Sequence, residues 1–466
     1  MLNTFGLDTN PTSWLIFGAL AACWIISARF TPGWTQEGWP SLLKSAYGFV
    51  WMGFGLDILL RFAMLSYNAV EWGNGTMRLA ALSTRVINLT LAYCGLYWML
   101  VVLGFALARR RSTAGPFMVA RSFDVQRAQT TAIPMAVMAS ITFYLVEGAS
   151  PLPLVLITPL SLLADLYVVP AAIVWWDHFR KSEPWWGVGA TRLVVLLPAV
   201  VRSWRSPYRE NLAPLLLIPL IAAIFAGRRP PMRKLLPAGL ASFLIFTSIV
   251  GVSRRMEWDH VRAEEVENEM QRAGAFDWIT GTWAESLHRF HGFDSMLLTV
   301  ALVPSLHPYS ERNVLIEPLI RGVVPRLLFT GKGAAHEALK FGGRIWAFDN
   351  PTIRDQPVAS IAPSMPGDLY DAGGVLYIAI GALMWGVVLG LFDGWKAHLP
   401  GFSAAAITCL VATQAAMSVE RDFDNTVATF IQTVLVFTIV MSVIAMSRRQ
   451  TTDVPHSLGH LPQQFQ

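Results

Sequence analysis

Long apolar runs separated by short polar connections occupy most of this chain. Runs near the roughly 20 residues needed to cross a hydrocarbon core predict membrane-spanning helices. The pattern therefore predicts an all-α polytopic membrane protein with about eleven transmembrane helices. The predicted spans are 13–29, 42–66, 84–107, 131–147, 153–175, 190–202, 212–227, 236–252, 372–393, 402–419 and 425–446.

Two of these runs differ from the rest. The first follows a polar N-terminus that lacks a basic region and a small-residue cleavage site, so we predict a retained span rather than a signal peptide. The sixth is short and contains Pro198, which predicts a broken or tilted helix.

One long polar segment, 253–371, interrupts the apolar pattern between the eighth and ninth spans. It divides the chain into eight helices in 1–252, the polar segment itself, three helices in 372–447 and a polar tail in 448–466. We predict that the polar segment is a large extracytoplasmic loop that carries the function, and that the tail is disordered in the cytoplasm.

The basic residues between the spans set the predicted orientation, because cytoplasmic connections carry the excess of lysine and arginine. With an odd number of helices, the N-terminus then lies outside and the C-terminus lies in the cytoplasm. The connections that carry this signal are Arg109–Arg111 with Arg121 and Arg127, Arg180 with Lys181, Arg228–Arg229 with Arg233 and Lys234, and Arg448–Arg449.

Three arginines break this rule. Arg202, Arg205 and Arg209 fall in a short connection on the predicted outer side. Either a miscounted helix returns that connection to the cytoplasm, or the three side chains bind an anionic headgroup at the outer membrane surface.

Composition agrees with a membrane location. The chain is 54% hydrophobic and 14% charged, with a mean hydropathy of +0.45, which excludes an ordinary soluble protein. The formal net charge is only +5 and the basic residues lie in short connections, so orientation rather than nucleic-acid binding explains the pI near 9.2.

Charged residues inside the spans need partners, since each alone is costly in hydrocarbon. Asp57 and Arg61 are four residues apart, so one helix face can hold both and neutralise them together. Asp165 has no local partner, and we expect it to meet an arginine from another helix or to face a wet cavity.

The polar segment contains a first cluster around Arg289, His291 and Asp294, in a stretch predicted to be helical. Glu285 is the nearest ion-pair candidate for Arg289. His291 and Asp294 share a helix face, and a histidine beside a carboxylate is a candidate general base. A solvated polar surface is the alternative interpretation.

A second cluster contains Arg321, Arg326 and Lys332. Pro325 predicts that Arg326 emerges at a turn, and planar arginine forks with a nearby lysine suit a pyrophosphate. Anchoring to anionic lipid would explain the same residues. Neighbouring glutamates elsewhere in the segment do not converge on a helix, so we predict no metal site.

The segment ends in a stretch rich in proline and glycine, where Asp368 and Tyr370 precede the ninth span and are placed to contact a sugar. Anchoring at the membrane interface is the alternative for Tyr370.

Together these residues resemble the bacterial oligosaccharide repeat-unit polymerases, the Wzy-like O-antigen and exopolysaccharide polymerases, which are related to the O-antigen ligases. The resemblance covers roughly the last two fifths of the chain. It rests on Arg289 and Phe290 with Asp294, on Pro325 and Arg326 with Lys332, and on 366–370 followed by Gly373 and Gly374.

The resemblance implies a GT-C-like enzyme of the bacterial inner membrane that joins undecaprenyl-pyrophosphate-linked oligosaccharides at the outer leaflet, without a cofactor. It implies Arg289 and Arg326 at the pyrophosphate and His291 or Asp294 as the base. A chain-length regulator and a flippase are the implied protein partners. Supporting substrate contacts are expected from Arg202, Arg205, Arg209, Arg321, Lys332, Asp368 and Tyr370.

Three other functions remain open at this point. An O-antigen ligase, which passes the finished glycan to lipid A core, would use the same residue types. A polysaccharide transporter or flippase is a second alternative, although the spans show no obvious internal repeat. A structural membrane subunit of a polysaccharide assembly complex is the third.

Overall fold

The computed structural model describes residues 9–66, 82–111, 125–148, 164–181, 189–205, 209–228, 292–310, 312–317, 319–320 and 363–449. Every regular element within these ranges is helical. The main helices are α1 Pro11–Ser27, α2 Ala46–Ser66, α3 Thr84–Arg111, α4 Val125–Gly148, α5 Val168–Arg180, α6 Ala190–Val194, α7 Leu197–Arg205, α8 Arg209–Phe225, α9 Gly292–Leu302, α10 Met365–Lys396, α11 Gly401–Ala416 and α12 Phe423–Arg449.

The helices agree with the spans predicted from the apolar runs. Each predicted span except the eighth overlaps a described helix, and the eighth, 236–252, lies outside the described residues. The sixth span is divided into α6 and α7, as its proline predicts. Within the described residues, five helical stretches are long and apolar enough to cross a membrane, so the protein is an α-helical polytopic membrane protein.

Glycines allow α3 and α10 to pack with their backbones in close contact. A Cβ atom at Gly386 would lie 2.2 Å from the Val101 carbonyl oxygen, and one at Gly104 would lie 2.3 Å from the Leu383 carbonyl oxygen. Small residues permit such close approach between membrane helices, where dispersion contacts rather than the hydrophobic effect hold helices together. The α3–α10 pair is therefore a rigid centre for the bundle.

The helix α2 changes its hydrogen-bonding pattern midway. It is α-helical over Ala46–Phe54, π-helical over Gly55–Leu60 and α-helical again over Arg61–Ser66. Such π-helical turns are uncommon and often occur at functional sites. This turn places Asp57 and Arg61 against α9, and a Cβ at Gly292 would lie only 3.0 Å from the Asp57 Cβ.

Part of the predicted outer loop is packed inside the bundle. The helix α9 lies within 253–371, yet nearly all of its residues are buried. The ninth predicted span, 372–393, begins earlier than expected, since α10 starts at Met365 and contains a kink at Gly373 and Gly374. Apolar contacts in the tertiary structure thus draw both flanks of the polar segment into the helical core.

The two ends of the bundle differ in charge. At the basic end, Arg109 donates to the Phe30 carbonyl and Arg228 donates to the Phe179 carbonyl. Its charged residues include Arg29, Lys44, Arg109, Arg110, Arg180, Lys181, Arg228 and Lys396, with Glu37, Asp177 and Asp393. The opposite, carboxylate end includes Asp165, Asp294, Glu317, Asp368, Asp371, Glu420, Asp422 and Asp424, with Arg61, Arg85, Arg202, Arg312 and Arg421.

Candidate functional site

The first polar contact at the carboxylate end joins Arg61 of α2 to Asp294 of α9. Arg61 Nη2 lies 2.6 Å from Asp294 Oδ2, and Arg61 Nε lies 3.0 and 3.1 Å from the two carboxylate oxygens. The side chains are only 2% and 1% exposed. A buried charge pair of this kind is stable only as a pair, because removing either member leaves an uncompensated charge.

This contact also shows what the sequence did not predict. The sequence suggested Asp57 as the partner of Arg61, because the two share a helix face. The carboxylate of Asp294 is 233 positions away from Arg61 in the chain, so no local pattern could indicate it. Asp294 itself was predicted as a site residue, and the structure places it in the bundle interior rather than on a loop surface.

The second polar contact joins the segment after α9 to the start of α10. Arg312 Nη2 lies 2.6 Å from Asp368 Oδ1 and 3.7 Å from Asp371 Oδ2. The other oxygen of Asp368 accepts a hydrogen bond of 2.9 Å from the backbone N–H of Phe423, at the start of α12. Asp368 is completely buried, so it acts as a junction between three separate stretches of chain.

A pair of carboxyl groups, Asp422 and Asp424, lies beside this junction. Both are buried, and a side-chain hydrogen bond joins them. Burial, the hydrogen bond to Asp424 and the nearby charges of Asp424 and Asp368 together hold the pKa of Asp422 well above its usual range. A proton shared between the two groups would relieve the repulsion among the three carboxylates.

Sequence reasoning missed Arg312, Asp422 and Asp424. A usable signal was present for the last two, since the connection between the tenth and eleventh predicted spans reads Glu420-Arg421-Asp422-Phe423-Asp424. Three carboxylates in so short a connection are unusual beside hydrocarbon. Arg312 had no such signal, because an arginine in a long polar segment is ordinary.

Three tyrosines form an aromatic group above the Asp368 junction. The rings of Tyr93 and Tyr370 are stacked with centroids 5.3 Å apart, and Tyr309 packs edge-on against Tyr370 at 6.2 Å. Gly374 has a φ of +69°, and a Cβ there would lie 2.9 Å from the Tyr309 hydroxyl oxygen. The glycine at the kink of α10 therefore makes room for Tyr309.

The predicted partner for Asp165 is confirmed. Arg202 of α7 lies 2.6 Å from Asp165 through Nη1, and its guanidinium lies 4.3 Å from the centroid of the Phe143 ring. Both charged side chains are about one-third exposed or less. Arg205 ends α7 and Arg209 begins α8, so their backbones lie near the same end of the bundle.

The remaining predicted site residues cannot be placed in this geometry. Arg289, His291, Arg321, Arg326 and Lys332 lie outside the described residues. The chain enters α9 directly after His291. Among the residues that the structure describes, no group of three or more histidine, cysteine or carboxylate side chains is arranged to hold a metal ion.

The flanks of the predicted polar segment meet at the carboxylate end. A Cβ at Gly367, in the first turn of α10, would lie 3.5 Å from the Cα of Met296 and 3.5 Å from the Thr299 hydroxyl oxygen in α9. The α9–α10 contact therefore holds Asp294, the partner of Arg61, close to Asp368, the partner of Arg312. Such an arrangement can fix two chain segments rigidly on either side of a substrate at the bundle end.

Comparisons with known proteins identify no relative of this chain. No family model, no curated protein and no solved structure matches it.

Proposed function

We propose that this protein polymerises undecaprenyl-pyrophosphate-linked oligosaccharide repeat units at the outer leaflet of the bacterial inner membrane. The growing glycan would leave its lipid carrier and join a new lipid-linked repeat unit. The observation that carries the proposal is the packing of α9 against the first turns of α10. This packing brings together two parts of the polar segment that carry the resemblance. One part contains Asp294 and the other contains Asp368.

The charge of the two bundle ends supports the orientation that this activity needs. If the basic end faces the cytoplasm, the carboxylate end faces outward, where lipid-linked repeat units are joined. The direction of α1 then leaves the N-terminus outside, and the direction of α12 leaves the C-terminus in the cytoplasm.

In the proposed reaction, a hydroxyl of the acceptor sugar attacks the anomeric carbon of the donor. The bond from that carbon to the pyrophosphate oxygen breaks, and its electron pair leaves with the lipid pyrophosphate. Arg289 and Arg326 stabilise the departing charge, supported by Arg321 and Lys332. Arg202, Arg205 and Arg209 lie at the same bundle end by this proposal and attract the anionic headgroup.

The base takes the proton of the attacking hydroxyl. Both oxygens of Asp294 are contacted by Arg61, so that carboxylate is better suited to anchoring α9 than to accepting a proton. His291, one residue before α9, is therefore the favoured base. A single displacement of this kind inverts the anomeric centre.

The acceptor would meet a net negative region with an aromatic surface. Asp368 and Asp371 flank Arg312, and Tyr309 is 38% exposed beside Tyr370. Aromatic faces pack against sugar rings, and the buried carboxylates make this region negative, so a pyrophosphate would be repelled here. The proposal thus assigns the acceptor sugar to this group and the donor pyrophosphate to the arginines of the polar segment.

The lipid-linked glycan profile of a deletion strain tests the proposal. Loss of the polymerase leaves single repeat units on the acceptor. Long chains that remain on undecaprenyl pyrophosphate would instead identify a ligase. An unchanged glycan profile would exclude both the polymerase and the ligase function. Reconstituted protein that moves the substrate across a vesicle membrane without forming a glycosidic bond would favour a transporter.

A further inference from the structure

The N-terminus of α11 lies at the basic end and has no side-chain cap. Its capping residue is Pro400, which has neither a side-chain acceptor nor an N–H group. The first N–H groups of a helix have no partner within the helix, and they create a partial positive charge. Gly401, the first residue of α11, is exposed, so this helix end can be reached from outside the bundle.

A buried side chain points to this helix end without a partner. Trp176 of α5 is 9% exposed, and its Nε1–H has no hydrogen-bond acceptor in the part of the chain that the structure describes. The same nitrogen lies 3.6 Å from the position that a Cβ would occupy on Gly401. A buried donor of this kind is costly unless something accepts its hydrogen bond.

The charge around this point is positive. Each carboxylate that the structure describes at the basic end is engaged by a lysine: Glu37 by Lys44, Asp177 by Lys181 and Asp393 by Lys396. Arg180 has no carboxylate partner among the described residues, and its guanidinium lies 5.4 Å from the centroid of the Trp176 ring. The stacking holds this cation over the face of the indole ring.

One group opposes an anion here. The Phe225 carbonyl oxygen, at the end of α8, lies 3.8 Å from the same Cβ position on Gly401. Two cations lie near that helix end: Arg228 donates to the Phe179 carbonyl at 3.2 Å, and Lys44 lies 5.9 Å from the centroid of the Phe225 ring. The carbonyl therefore reduces the space beside Gly401, and the two cations offset its partial negative charge.

We propose that the N-terminus of α11, Trp176 and Arg180 form a binding site for a phosphate anion, and that this anion is the headgroup of an acidic phospholipid. Helix N-termini with nearby donors and cations bind phosphate groups. A lipid suits the location, because the preceding helix exposes Leu391 (48%) near the same end, and acyl chains can lie along such an apolar face. The site is independent of the activity assigned to the carboxylate end.

Native mass spectrometry of the purified full-length protein in detergent tests this site. Phosphatidylglycerol should be retained in preference to phosphatidylcholine. Trp176→Phe keeps the ring and removes the N–H, and Arg180→Gln removes the charge, so each should weaken phosphatidylglycerol retention about tenfold. Matched controls are Trp175→Phe, whose buried Nε1 also has no partner among the described residues, and Lys181→Gln; both should retain the lipid.

Thermal unfolding with inorganic phosphate separates the two sources of phosphate. Stabilisation by phosphatidylglycerol, but not by inorganic phosphate at millimolar concentration, supports a lipid site. Equal stabilisation by both would overturn the lipid assignment in favour of a small phosphate compound. Equal losses in Trp176→Phe and Trp175→Phe, or equal retention of both lipids by the unmodified protein, would overturn the site itself.

Discussion

The Nη2 atom of Arg312 lies 2.6 Å from Oδ1 of Asp368, which fixes the segment after α9 to the first turn of α10. The second oxygen of Asp368 accepts from the Phe423 N–H, so the start of α12 is fixed to the same carboxylate. One buried side chain thereby orders three stretches of chain at the carboxylate end, where we place the acceptor sugar.

The Arg61–Asp294 pair should be essential for stability as a pair. Arg61→Ala or Asp294→Ala alone should lower the free energy of unfolding by about 3–5 kcal/mol, because each removes one partner of a buried ion pair. Replacing both residues, as Arg61→Met with Asp294→Leu, should cost much less than the two single changes together. Thermal or denaturant unfolding in detergent measures these differences.

Glu37→Gln is the matched control for that cycle. Glu37 pairs with Lys44, and both side chains are partly exposed, at 39% and 25%, so its loss should change the free energy of unfolding by about 1 kcal/mol or less. If the double replacement at Arg61 and Asp294 proves as unstable as the sum of the single ones, the two charges do not act as a pair.

The carboxyl group of Asp422 should make stability depend on pH. Its folded-state pKa is raised by burial and by Asp424 and Asp368, so the folded state favours the protonated form. The stabilisation is complete below the unfolded pKa of about 3.9 and is lost as pH rises through the higher folded pKa. Asp422→Asn should reduce this decline in the stability profile measured above pH 4.

Asn425→Ala, an exposed change one turn away, should leave the pH profile of stability unaltered. A decline with rising pH that persists unchanged in Asp422→Asn would show that another group is responsible. Circular dichroism at each pH distinguishes a change in stability from a loss of helical structure.

The close approach of α3 and α10 should not tolerate a side chain at Gly386. Gly386→Ala places a Cβ 2.2 Å from a backbone oxygen, and the overpacking should cost about 1–3 kcal/mol or more. Gly95→Ala, also on α3, meets only a Leu20 methyl at 3.8 Å, so it should be neutral or stabilising by up to about 1 kcal/mol. Thermal unfolding and the yield of membrane-inserted protein compare the two.

Under the proposed function, Arg289→Ala and Arg326→Ala should each reduce polymer formation by about 100-fold or more, because a donor to the departing charge is lost. Lysine at either position should restore polymer formation poorly, because it lacks the planar guanidinium group that binds two phosphate oxygens at once. Arg85→Ala removes an exposed cation from the carboxylate end and should leave polymer length normal. Normal polymer in Arg289→Ala or Arg326→Ala, with the protein inserted, would refute the assigned roles.

The helices were predictable because the signal that specifies them is local. A run of apolar residues needs no distant partner to favour a membrane helix, and each predicted span within the described residues overlaps a helix. The sequence also predicted that Asp165 pairs with an arginine from another helix, because an isolated intramembrane carboxylate needs a cation; the structure identifies that arginine as Arg202.

The sequence alone determined that this is an α-helical membrane protein and where the basic residues fall between its apolar runs, because hydropathy and charge are read residue by residue. Only the tertiary structure decided that Arg61 forms an ion pair with Asp294 and that α9 is buried. It also decided that Asp368 binds both Arg312 and the Phe423 N–H. Those contacts join residues far apart in the chain, and their formation depends on how helices pack, which no local pattern specifies.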